Sequence, residues 1–185
     1  MTETSKKKAG GCLCGAVRYE VSGEPFTVIH CHCFSCRRHT GSPIVTFAGF
    51  KKGQVRFTMG ERRIFESSPG VGRAFCGQCG TPLTWEADRG DLGPIVEFHI
   101  STFDDPNAFV PESHLHYDER IAWFDVADNL PRYHASEDDN GPFLRGPAIK
   151  APPERKHRAR RNGYLAGPPG HNAKARRLAA NGSES

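Results

Sequence analysis

The chain has no long hydrophobic run. Among its 185 residues no stretch of about 18 apolar residues occurs, so no membrane-spanning helix is expected. No apolar segment follows the basic N-terminal run "MTETSKKKAGG". The reading is therefore of a chain without a secretory signal, placed by default in a reducing cytoplasm. Methionine and tryptophan are scarce, at two each, and hydrophobic residues make up only 37%. That is below an ordinary soluble domain, so either the core is small or part of the chain does not fold. The length allows one ordinary domain and not comfortably two.

Strong net charge is missing from the body of the chain. The formal total is +4, but residues 1–135 carry 15 Lys/Arg against 16 Asp/Glu, a net of −1. Residues 136–185 carry 10 against 5, a net of +5. The stretches "SEDDNGP", "GPAIKAPPERKHRARRNG" and "GPPGHNAKARRLAANGSES" are rich in Pro, Gly, Ala and charge. They cannot bury enough surface to offset chain entropy, and a disordered or loosely attached tail is expected. Its densest basic run is "RKHRARR", Arg155 to Arg161. Such runs bind nucleic acid by counterion release, although only a lone Tyr164 is nearby for base stacking.

What is present is a series of short alternating segments. In "AVRYEV", Val17, Tyr19 and Val21 share one face; in "QVRFTM", Val55, Phe57 and Met59 do. In "IVEFHI", Val96, Phe98 and Ile100 oppose Glu97 and His99. Period-two patterns broken by Gly and Pro predict many short strands. "DDPNAF" places Asp105 as N-cap and Pro106 at the first helical position, a single turn before Pro111. The remainder to residue 133 reads as extended, with Trp123 and Phe124 as anchors, and Trp85 and Trp123 are expected in the core.

Chemistry is concentrated in seven cysteines, all between Cys12 and Cys79. In a reducing compartment they point to metal ligands or reactive thiols before disulfides. Cys31, Cys33 and Cys36 fall within "HCHCFSC" and are too close to serve distant ions. Cys12 and Cys14 form a C-x-C pair, and Cys76 and Cys79 a C-x-x-C pair followed by Gly80, the form of a zinc knuckle. The partition is four plus three. Four thiolates close a tetrahedral structural site, whereas three leave a position for water or substrate, as catalytic zinc sites do. Alternatives remain on sequence grounds: an iron–sulfur cluster, thiols without metal, or closure of the three-cysteine site by His30, His32, His39 or His99. In extended chain His32 points away from Cys31 and Cys33, and His30 shares its side.

These clusters carry a resemblance. "GGCLCGAVRYEV", "HCHCFSCRRHTGSP", "FCGQCGTPL", "STFDDP" and "PESHLHYDERIAWFDVADNLPRY" resemble, in order, the glutathione-dependent formaldehyde-activating enzyme (GFA) family, whose animal relatives include centromere protein V. The resemblance implies a mainly β, Mss4-like zinc-stabilised fold of stacked antiparallel sheets. It divides the chain into a flexible N-terminus (1–9), a zinc-binding domain (10–134) and a basic Pro/Gly-rich tail (135–185). It implies two zinc ions, one structural at Cys12, Cys14, Cys76 and Cys79, one open at Cys31, Cys33 and Cys36. The implied activity is that of a carbon–sulfur lyase acting on a thiol–aldehyde adduct such as S-(hydroxymethyl)glutathione, with glutathione and an aldehyde as partners. Arg37 and Arg38 suit glutathione's two carboxylates by their paired donors. His39 and His99 are eligible as general acid by residue type only. The competing readings are a non-enzymatic zinc module that binds nucleic acid or another partner through its tail, and a zinc–thiolate sensor of oxidant or aldehyde.

Overall fold

Period-two alternation becomes strand along almost all of the body. The computed structural model describes residues 7–136. The strands in chain order are β1 (Lys7–Gly11), β2 (Arg18–Ser22), β3 (Thr27–Cys31), β4 (Val45–Lys51) and β5 (Val55–Met59). Then come β6 (Arg62–Ser68), β7 (Val71–Cys76), β8 (Pro82–Asp88), β9 (Pro94–His99) and β10 (Ser113–Leu115). One α-helix, α1 (Phe34–Thr40), interrupts them, along with single 3₁₀ turns. The expected mainly β architecture of stacked antiparallel sheets is what the chain adopts.

The smaller sheet has the order β1-β2-β5, the larger β10-β3-β4-β9-β8-β7-β6. All pairings are antiparallel except that of β10 with β3, which runs parallel and sets His114 beside His30. The main core fills the space between the sheets: Val17, Tyr19 and Val21 from one, Ala48, Phe50, Val96 and Phe98 from the other. Tyr19 stacks on Phe98 at 4.1 Å between centroids and meets Phe103 edge-on at 5.2 Å. Burying such side chains is worth roughly 1.5–3 kcal/mol each, which lets a modest core hold the fold. Val55 and Phe57 join it as expected, but Met59 is 51% exposed, because a register shift after the Tyr19–Phe57 pair sets it opposite Arg18.

The larger sheet is covered on its second face too. Ile29, Cys31, Val45 and Phe47 form a second cluster with Cys36 of α1, and Trp85 packs at its margin. Glu97 and His99, on the outward-reading side of β9, are therefore buried as well.

Order begins earlier than the expected boundary at residue 10. β1 starts at Lys7, pairing Lys7 through Gly11 with Ser22 through Arg18. The reason lies in Gly10, where a Cβ would come within 2.4 Å of the Tyr19 hydroxyl oxygen. The bare backbone lets β1 lie over the core. Asp104 N donates to Ala9 O at 2.9 Å and the Asp104 carboxylate takes both arms of Arg18. The turn at Pro106–Ala108 forms as its sequence predicts, with Asp105 Oδ1 accepting from Asn107 N at 3.1 Å. Trp123 departs from expectation: it is 79% exposed, in a turn closed by Phe124 N donating to Ile121 O. That segment has no strand period and so no face to bury; Phe124 is half-buried. Among the described residues no helix is long and apolar enough to cross a membrane. The expected tail, apart from its first two residues, and with it Arg155–Arg161 and Tyr164, lies outside the described residues.

Candidate metal centres

The four-plus-three partition exists in space. The Sγ atoms of Cys12, Cys14, Cys76 and Cys79 all lie within 4.8 Å of one another, and so do those of Cys31, Cys33 and Cys36. All seven are free thiols.

Two glycine-supported turns build the first group. After β1, Gly15 (φ 76°) closes a turn with its N–H on Cys12 O at 3.0 Å. After β7, Gly80 (φ 75°) does the same on Cys76 O at 2.9 Å. A positive φ at these places is where glycine is at ease and other residues are strained. Backbone N–H groups point at sulfur: Val17 N at 3.2 Å from Cys12 Sγ, Gln78 N at 3.4 Å from Cys76 Sγ. The Thr81 hydroxyl and backbone draw the Cys79 thiol down to about 5. Such donors favour thiolate, the form that binds a metal. Cys12 and Cys76 sit in the main core while Cys14 and Cys79 are exposed. An ion here would tie the small sheet's first turn to the β7–β8 turn of the large one.

The second group is made by the end of β3 and the start of α1. Cys31 is the last residue of β3, facing the second cluster. Cys33 is the N-cap of α1, with extended backbone (φ −61°, ψ 146°), its sulfur accepting from Cys36 N at 3.3 Å. The thiol does the work that a Ser or Asp oxygen does at most N-caps. Gly41, at φ 69°, ends the helix by donating to Arg37 O. Thus C-x-C-x-x-C is a strand end, a cap and a first turn. Hydrogen bonds from Cys31 and Cys36 pull the Cys33 thiol down to about 2, while hydrogen bonds with Cys33 and Cys36, with burial, push Cys31 well above its usual value. Three sulfurs this close favour a shared cation, and the soft donor set fits zinc.

Arg73 was not legible as a site residue. It is 5% exposed on β7, and its Nη1 donates to Cys36 Sγ at 3.5 Å while Nε donates to Ser67 Oγ at 3.0 Å. With a metal bound, a cation against the cluster would offset the charge of three thiolates. The only signal was an arginine inside a buried alternation, "VGRAF". Glu97 lies near it; burial pushes its carboxyl up to about 7, against the pull of Arg89 and Arg73.

Arg37 is engaged within the fold. Its Nε donates to His32 O at 2.8 Å and Nη2 to Glu119 O at 2.7 Å, and its guanidinium lies over the Phe34 ring. Two of its five N–H donors tie α1 to the chain around it. Arg38 is exposed on α1. No histidine nitrogen joins the three-cysteine group among the described residues. His32 points away from it, as alternation requires, with Nε2 2.8 Å from His114 Nδ1. His39 and His99 lie 6.3 Å apart between ring centroids, each with a buried Nε2 that has no hydrogen-bond partner. A cleft of about 470 Å³ opens beside them, lined by His99, Val45, Thr40, Ser42, Thr81 and Thr102 among others. Val45 is the strand partner of Cys31.

With this geometry in hand, comparison with known proteins is direct. The family model "Glutathione-dependent formaldehyde-activating enzyme" matches residues 7–119. No curated protein matches the chain. A crystal structure of a Rhodobacter sphaeroides protein is similar at 22% identity and a TM-score of 0.44, covering 54% of this chain and 93% of that one. Since the matched segment spans more than half of the chain and holds both cysteine groups, the chain belongs to the glutathione-dependent formaldehyde-activating enzyme family.

Proposed function

We propose that the chain is a zinc-dependent carbon–sulfur lyase-like enzyme that makes or breaks a thiol–aldehyde adduct such as S-(hydroxymethyl)glutathione. The observation that carries this is the three-sulfur group at Cys31, Cys33 and Cys36, which among the described residues has no fourth protein ligand atom; the cleft is lined by Val45, the strand partner of Cys31, though by none of the three cysteines. Cys12, Cys14, Cys76 and Cys79 would hold a second, structural zinc. Zinc at the three-sulfur group would supply an open position that lowers the pKa of an incoming thiol and keeps it as thiolate at neutral pH.

The chain's own residues position the reactants. Arg73 steadies Cys36 and, with it, the donor set. The cleft is large enough for a small peptide thiol, within the roughly 300–1,000 Å³ of ordinary ligand pockets. Its threonine and serine hydroxyls supply hydrogen bonds, and Arg38 stands exposed on α1 for a carboxylate. In the forward direction the sulfur lone pair forms the C–S bond and the C=O π pair moves to oxygen, which takes a proton. Burial, with His39 and Arg73 nearby, pushes His99 down to about 3, so its ring is neutral at pH 7. A neutral imidazole in the cleft wall can hydrogen-bond the aldehyde oxygen as charge develops there. In reverse the same contacts release the aldehyde.

Isothermal titration of glutathione into the zinc-loaded full chain tests the reading. Binding in the millimolar range or tighter is expected, and its loss in a folded Cys31→Ser/Cys33→Ser/Cys36→Ser variant. No heat at millimolar thiol with zinc fully loaded would overturn it.

A further inference from the structure

On the other face of β3, away from the cysteines, the structure gathers a different donor set. The parallel pairing of β10 with β3 sets His114 beside His30, and their rings lie 4.8 Å apart between centroids. Asp128, from the segment after β10, completes the group: one nitrogen of each histidine and a carboxylate oxygen all lie within 4.8 Å of one another. His114 is fully buried, His30 and Asp128 partly so. We propose that His30, His114 and Asp128 form a third metal site, for a borderline divalent cation of the zinc class, that fastens the segment after β10 to β3.

The supporting contacts are those a histidine–carboxylate site needs. A metal-bound imidazole normally uses its second nitrogen to hold a neighbour, which fixes ring and tautomer. His30 Nδ1 is 2.8 Å from Thr46 Oγ1, which leaves Nε2 for an ion. His114 Nδ1 is 2.8 Å from His32 Nε2, and its own Nε2 lies 3.1 Å from Asp128 Oδ2 and 3.2 Å from Oδ1. The Oδ2 distance is close to the ~3.3 Å edge of a tetrahedron with bonds near 2.0–2.1 Å. The carboxylate is aimed by its other oxygen: Asp128 Oδ1 accepts from Arg132 Nη2 at 2.9 Å and from Leu130 N at 3.1 Å. Arg132 places a cation near the site, and Asp125, which takes the Tyr117 hydroxyl at 2.7 Å, places a further carboxylate near it. This donor set contains no sulfur, so the site is chemically distinct from both cysteine groups. Asp128 also lies beyond residue 119, where the family match ends. The segment it belongs to has almost no regular secondary structure, and a metal clip would supply what a strand ladder does elsewhere.

Titration of the metal-stripped full chain with Co²⁺ tests the proposal. Cobalt on thiolates absorbs strongly through sulfur-to-metal charge transfer, whereas cobalt on imidazole and carboxylate gives weak ligand-field bands alone. One equivalent per chain should add ligand-field absorption with no added charge transfer. Asp128→Asn and His30→Gln should each lose that equivalent and keep the charge-transfer bands. Where a variant does not fold, the imidazole ¹⁵N resonances of the wild-type chain decide. Zn²⁺ added once the thiolate sites are full should shift His30 and His114. Absence of a sulfur-free equivalent, its retention in either folded variant, or shifts confined to other histidines such as His157 and His171 would overturn the proposal and show a hydrogen-bonded cluster only. The outcome is independent of whether the chain binds glutathione.

Discussion

Glu97 shows how one buried side chain sets a pH dependence. Its carboxyl titrates near 4.5 in open chain and is pushed up to about 7 in the fold, first by burial. As pH rises through that window the unfolded chain gives up the proton first, so ionisation favours unfolding. Stability from this group is greatest below about 4.5 and falls until pH passes 7. Glu97→Gln should flatten that slope and raise stability at pH 8 by on the order of 3 kcal/mol relative to the parent, measured by urea unfolding across pH. Gly10 makes the opposite kind of prediction. A methyl there meets the Tyr19 hydroxyl at 2.4 Å and Thr102 O at 2.5 Å. Gly10→Ala should cost about 1–3 kcal/mol and loosen β1, seen as faster amide exchange over residues 7–11. Neither role was legible, because both depend on which second sheet or helix covers a strand. Alternation put Glu97 opposite Phe98; it could not say that α1 would close that side as well.

At the scale of elements, strands were legible and the helix was not. Period-two patterning marked β2, β5 and β9 because each has one face on the main core. α1 is only seven residues long, and its sequence, FSCRRHT, has no apolar stripe to reveal it. Its N-cap is a cysteine, which sequence rules for caps do not weigh. Gly41 was recognisable as a turn residue, though not as a helix terminator. What holds α1 is Arg37, bonded to His32 O and Glu119 O. Arg37→Ala should destabilise the fold by roughly 1–3 kcal/mol, through two lost charge-assisted bonds to buried carbonyls. Glutathione affinity of the folded fraction should change less than with Arg38→Ala, a comparison that titration calorimetry makes directly. β10 lies in the stretch read as extended, but three residues, "SHL", leave no periodic trace that would mark its parallel pairing.

Across the whole molecule, spacing between cysteines was the most legible feature of all. Spacing alone grouped them as four and three, and the sulfur atoms cluster that way. Histidines and carboxylates carry no comparable spacing rule, and the His30–His114–Asp128 group emerged only from topology. On the proposed reading the two cysteine groups would play separable parts. Cys76→Ser should remove on the order of 10 kcal/mol of metal-linked folding energy and leave the domain unfolded or aggregated. Cys31→Ser/Cys33→Ser/Cys36→Ser should stay folded and lower the zinc bound at the cysteine sites from about two ions to about one, read by elemental analysis beside circular dichroism. Removal of residues 136–185 should leave thiol binding unchanged, since every residue of the cleft precedes them.

The sheet-joining group straddles the protein boundary: two of its sulfurs are embedded in the interior, two face solvent. A chelator can therefore begin exchange from outside by engaging Cys14 and Cys79, yet cannot finish without prising Cys12 and Cys76 from their packing. With zinc bound there as proposed, extraction should proceed in two phases, a quick reversible capture followed by a slow release that keeps pace with unfolding, and such an ion would serve as a timer for the lifetime of the native state.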